Sequence, residues 1–142
     1  MNKREALLAL ANSIEEYLQK GFRFHPVFME EFKELLHNAR GHEKEIFSLL
    51  IKQLNFVSTL RKQVYKADGN EIIKYLDREY YSLHLSSQNF NLRMLMTFDE
   101  KETPIFLAAF YERSGKKASD YTQWKKVLKG RYEQMQGEGE MV

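Results

Sequence analysis

The sequence predicts an α+β domain in which a small antiparallel sheet packs against helices lying on one face. Three observations carry that class. Apolar residues recur at helical spacing through most of the first 66 residues, three short aromatic and aliphatic runs follow between residues 79 and 111, and a helical period returns after residue 120.

Leu7, Leu10, Ile14, Tyr17 and Leu18 predict a helix over about residues 3–20, with Gly21 as its stop. In "FRFHP", Phe22 and Phe24 alternate with Arg23 and His25 before Pro26, the pattern of a short strand ended by a turn. "VFMEEFKELLHNARG" sets Phe28, Phe32, Leu35 and Leu36 on one helical face, and Gly41 closes it. Ile46, Leu50, Leu54, Val57, Leu60 and Val64 predict one long helix over residues 42–66, ended by the turn signal "ADGN".

The period then changes. "EYYSLHL", "NLRMLMTF" and "PIFLAAFY", separated by "SSQNF" and "DEKET", predict three consecutive antiparallel strands in a meander. The basic loop "RSGKKASDY" leads to a last helix, with Ser119 or Asp120 as cap and Trp124, Leu128 and Met135 on its apolar side. The expected organisation is an N-terminal helix over residues 1–21, one domain over 22–135 and a flexible tail over 136–142.

With 142 residues, 43% of them hydrophobic and 13% aromatic, the chain suits a single folded core. No apolar run approaches a bilayer span, and the N-terminal stretch is interrupted by Asn12, Ser13, Glu15 and Glu16, unlike a signal peptide. The chain contains no cysteine, which removes disulfides and thiolate chemistry and points to the cytoplasm. Net charge is only +2, but residues 113–132 carry seven basic side chains against one acid, Asp120. A basic end on a nearly neutral protein points to a local anionic site.

Metal sites find no support, because His25, His37, His42 and His84 are scattered and "HEKEI" lacks the second histidine of a helical zinc pair. Cofactor binding finds none either: the glycines are isolated, so no phosphate loop exists, and no nucleophile elbow or kinase signature is present. Three features remain. Arg113, Lys116 and Lys117 stand at the mouth of the last strand beside Gly115, flanked by Tyr111 and Tyr121 as stacking faces for a base; a solvated loop is the plain alternative. Arg93 interrupts an apolar strand and shares a face with Asn91, Leu95 and Thr97, as a fixed guanidinium for a phosphate or as an ordinary exposed or ion-paired residue. His84, a base or phosphate contact if the hairpin pairs it near Arg93, is otherwise a plain polar strand position.

From Tyr80 onward, "YYSLHLSSQNFNLRMLMTFDEKETPIFLAAFYERSGKKASDYTQWKKVL" resembles the RelE/HigB superfamily of bacterial toxins, including its phage-derived HigB-like branch. The resemblance covers about residues 22–135 and rests on element order and a loose pattern, with the first helix an addition. It implies a RelE-like fold and a toxin that cleaves messenger RNA, commonly on the ribosome, until a cognate antitoxin blocks its surface. The implied chemistry is metal-free, with a 2′-hydroxyl attacking the neighbouring phosphate. Arg93 and Arg113 would then hold the phosphate, Lys116, Lys117 and Tyr111 would bind RNA, and Tyr121 or His84 would move a proton or stack a base. Where many members carry Glu-Leu-Arg before the hairpin turn, this chain reads "SLHL". The superfamily also contains toxins that inhibit gyrase without cutting RNA, and a protein-binding module on the same fold is the non-catalytic alternative. Oligomeric state is left open.

Overall fold

The computed structural model describes residues 1–112 and 121–140. Its elements in chain order are α1 (Lys3–Gln19), β1 (Arg23–Phe24), α2 (Pro26–His37), α3 (Glu43–Leu60), a 3₁₀ helix (Arg61–Lys66), β2 (Glu71–Tyr75), β3 (Arg78–Ser86), β4 (Asn91–Phe98), β5 (Pro104–Tyr111) and α4 (Thr122–Glu140). The class is α+β, as the sequence predicts. The five strands are ordered β1-β5-β4-β3-β2, with β2 to β5 an antiparallel meander and β1 parallel to β5. The sheet is therefore mixed rather than wholly antiparallel.

Four local expectations change. The predicted long helix leaves the α conformation at Leu60 and turns at Arg61, whose φ is 52°, into the 3₁₀ segment. Strand β2 was not foreseen: "EIIKY" has strand composition, but its two-residue turn has Leu76 at a φ of 55° where glycine or asparagine would announce a hairpin. His25 belongs to a helix start rather than a strand, its Nδ1 accepting the Val27 N–H at 3.0 Å as the cap of α2. Helix α4 continues to Glu140, through residues expected as a flexible tail.

The helices lie on both faces. Helices α1, α2 and α3 cover one, burying Leu10, Ile14, Phe28, Phe32, Ile46, Leu50 and Leu54 against Leu83, Leu85, Leu92, Met94, Met96 and Phe106. Helix α4 and Tyr121 just before it cover the other, burying Tyr121, Leu128, Tyr132 and Met135 against Ile73, Tyr80, Leu95, Ile105, Leu107 and Ala108. The expectation of helices on one face fails because that second sheet face is itself apolar and has to be covered. Period two in β1 reads correctly on both sides: Phe22 and Phe24 ring-pack with Phe106, while Arg23 donates to the Met135 carbonyl at 2.9 Å and His25 Nε2 lies 2.7 Å from Gln134 Oε1.

Because β1 pairs only with Ile105 and Phe106, the outer edge of β5 continues unpaired beyond it. Glu31 and Arg131 close that edge. Glu31 Oε1 accepts the Ala109 N–H at 3.1 Å, Arg131 donates to the Leu107 carbonyl at 2.8 Å, and the two side chains form a two-pronged ion pair at 2.8 and 3.2 Å. Glu31→Ala strands both the guanidinium and a strand N–H. With side chains 23% and 16% exposed, the loss should be about 2–3 kcal/mol in chemical denaturation, below the range of a fully buried pair. A loss under about 1 kcal/mol would make it an ordinary surface bridge and refute the edge-closing role.

Candidate functional site

The site lies on the α4 face, where β3 and β4 set His84 opposite Arg93, with Phe110 next in the same row on β5 and Ser86 opposite Asn91 one row further on. Cross-strand partners share a face, so His84 and Arg93 meet as the hairpin expectation required. One row inward, Ser82 pairs with both Glu71 and Leu95.

The backbone at His84 is held by two buried carboxamides rather than by a strand. Strand β2 starts only at Glu71, so among the described residues His84 has no strand partner on that side. Instead its N–H donates to Asn70 Oδ1 at 2.9 Å and its carbonyl accepts from Gln53 Nε2 at 2.9 Å. Gln53 and Asn70 also bond each other at 3.1 and 2.9 Å, and Asn70 donates to the Val64 carbonyl at 3.1 Å. "ADGN" is thus a turn whose last residue works in the core. Gly69 stays glycine for its backbone, φ 72°, next to the His84 ring.

Four side chains then form a chain of hydrogen bonds. Glu71 Oε2 lies 3.0 Å from His84 Nε2 and 2.5 Å from the Tyr121 hydroxyl, which lies 2.7 Å from Ser82 Oγ. A carboxylate only accepts, so His84 Nε2–H and Tyr121 O–H donate to Glu71, and Ser82 donates to Tyr121. This ordering assigns the Nε2–H tautomer and leaves Nδ1 as the basic nitrogen.

Burial lowers the His84 pKa below its ordinary 6.5, and the positive charge of Arg93 lowers it further; the Glu71 hydrogen bond and the charges of Glu71 and Glu112 pull the other way. The imidazole is therefore neutral at pH 7. Its side chain stays 17% exposed. In linkage terms, the unfolded chain takes this proton near 6.5 and the folded chain only at lower pH. The stabilising contribution is full above 6.5 and is lost as pH falls from there through the folded value. The thermal midpoint should fall less between pH 7 and pH 5 in His84→Asn than in the wild type; parallel profiles would refute the lowered value.

Arg93 is only 9% exposed. Its NH1 donates to Asn91 Oδ1, to Ser86 Oγ at 3.4 Å and to the Leu92 carbonyl at 3.3 Å, while its Nε is buried with no acceptor among the described residues. It forms no ion pair among the described residues. The expected solvent-facing guanidinium is thus a buried one, because α4 covers this side of the sheet.

Of the residues singled out in the sequence, His84, Arg93 and Tyr121 come together. Tyr121 does not offer a stacking face: its ring is buried and its hydroxyl is engaged. Tyr111, 54% exposed, pairs with Leu92 and so lies on the opposite face from Arg93. Arg113, Lys116, Lys117 and both cap candidates, Ser119 and Asp120, lie outside the described residues. Glu71, Ser82, Gln53 and Asn70 were missed; the visible trace was a glutamate opening a strand-like run directly after "ADGN". Among the described residues, no three His, Cys, Asp or Glu side chains gather as metal ligands, and no helix is long and apolar enough to cross a membrane.

In comparisons with known protein families, characterised proteins and solved structures, none matches this chain.

Proposed function

We propose that this chain is the toxin of a toxin-antitoxin pair, similar to the RelE/HigB toxins, and that it acts as a metal-free endoribonuclease on messenger RNA at the ribosome. One observation carries the proposal: a largely buried guanidinium without a carboxylate partner among the described residues stands beside a neutral, hydrogen-bonded histidine. Burying a cation without a counter-charge costs folding free energy, and an anionic ligand offsets that cost.

In the reaction, the 2′-hydroxyl oxygen attacks the adjacent phosphorus and the bond from phosphorus to the 5′-oxygen breaks. The hydroxyl proton passes to His84 Nδ1, and the leaving oxygen takes a proton from a solvent water, whose hydroxide the imidazolium then neutralises as the products, a cyclic phosphate and a 5′-hydroxyl, separate. Arg93 holds the non-bridging oxygens as charge builds on them. Glu71 steadies the imidazolium through its Nε2–H, and Tyr121 and Ser82 fix Glu71 in turn.

A second reading, a non-catalytic interaction protein on the same fold, draws on leucines left in solvent, Leu8 at 63% exposure on α1 and Leu76 at the β2–β3 turn. Induced expression with mapping of transcript ends separates the two. Growth arrest with new codon-linked 5′ ends is expected. Arrest with intact transcripts would favour the non-catalytic toxin, and harmless expression without a partner would remove both toxin roles.

A further inference from the structure

Two buried donors without acceptors among the described residues belong to the two neighbours of Phe110, one in ring contact with it and one across the sheet. Trp124 stacks on Phe110 at 4.6 Å and 17° between planes, and Phe110 is the cross-strand partner of Arg93. Among the described residues, the indole Nε1 of Trp124 and the Nε of Arg93 both lack a hydrogen-bond partner although both are shielded from water. Buried N–H groups are nearly always satisfied, so two orphans on neighbours of one residue call for a common explanation.

The chemistry of the pair selects its ligand. Both atoms only donate, one belongs to a permanent cation, and α4 begins at Thr122, so the positive end of its dipole lies at the same corner. The guanidinium, the indole N–H and the helix start all favour a compact anion with several acceptor oxygens. No carboxylate of the described residues pairs with Arg93 to supply them.

We propose that Trp124 is a substrate-binding residue, and that its indole N–H and the Arg93 guanidinium together take the oxygens of a phosphodiester. The inference rests on the ribonuclease reading only for the identity of that group as an RNA backbone phosphate. Trp124 then has two roles. Its ring anchors the start of α4 on Phe110, and its N–H completes the anion site over the row that holds His84.

Trp124 is the only tryptophan in the chain, so its emission reports on this site alone. The purified full chain is titrated with a 2′-O-methyl RNA oligonucleotide, which cannot be cleaved, and in parallel with inorganic phosphate. The oligonucleotide should give a saturable emission change that Arg93→Gln loses, with inorganic phosphate needing a far higher concentration. Trp124→Phe keeps a ring on Phe110 but removes the N–H, and by anisotropy of a labelled oligonucleotide it should bind about 10-fold more weakly or worse, the usual cost of a hydrogen bond to a charged group. The wild-type emission series stands without that variant should it fail to fold. Oligonucleotide binding with unchanged emission, wild-type affinity in folded Trp124→Phe, or an equal response to inorganic phosphate at the same concentration would each overturn the proposal. Binding with the expected signature but no cleavage of ordinary RNA would leave this site standing and remove the ribonuclease reading. Normal cleavage by Trp124→Phe would do the reverse.

Discussion

On the proposed ribonuclease reading, Arg93→Ala should lower the rate of messenger cleavage about 100- to 1,000-fold, the usual scale for losing a preorganised donor to a developing oxyanion. The same site should behave differently in stability. Among the described residues, the buried Arg93 has an unsatisfied Nε and no carboxylate partner, so Arg93→Met, which keeps the aliphatic stem, should unfold at an equal or higher denaturant concentration than the wild type. An inactive variant that is no less stable marks a residue held against folding for the sake of a ligand. Cleavage assayed on purified ribosomes beside urea denaturation reads both numbers. Undiminished cleavage in Arg93→Ala, or a loss of more than about 2 kcal/mol in Arg93→Met, would place Arg93 among structural residues instead.

Phe106→Ala carries the largest expected effect on the fold. Phe106 is fully buried at the point where β1, β5 and the first helices meet, with ring centroids 6.0 Å from Phe22, 5.1 Å from Phe24 and 5.6 Å from Phe28. Truncation removes the shared partner of all three rings and leaves a cavity bounded by a sheet that cannot collapse into it. The cost should be about 3–5 kcal/mol, a large part of the 5–15 kcal/mol that holds a domain of this size. Phe106→Leu should cost less, since most of the volume is kept. A shift in urea midpoint with unchanged slope is the expected signature, and a loss below about 1.5 kcal/mol would mean that the cluster repacks freely.

Much of this architecture is legible in local pattern. The stripe from Ile46 to Val57 reads as a buried helix face because side chains 3 or 4 apart share a side, and the alternation in "NLRMLMTF" separates Leu92, Met94, Met96 and Phe98 from Arg93 and Leu95, as observed. The misses have one origin. Strand β2 escaped notice because its turn uses Leu76 rather than glycine, a choice that only the surrounding hairpin makes tenable. The burial of Arg93 escaped notice because nothing in β4 says that a helix beginning some 30 residues later will lie across it.

The sequence by itself determined the α+β class, the meander, the alternation that sets Arg93 and His84 on one side of their strands, and the basic bias of the C-terminal end. Those features depend on periods of 2 and 3.6 residues, which are written locally. Only the tertiary structure decided that Glu71 meets His84 across 13 positions and Tyr121 across 50, that Glu31 and Arg131 close the sheet edge across 100, and that Arg93 and Trp124, each with a donor unpaired among the described residues, both neighbour Phe110. Such meetings are set by strand register and by where α4 docks, and both follow from burying two apolar sheet faces at once, a constraint on the whole chain that no short stretch carries.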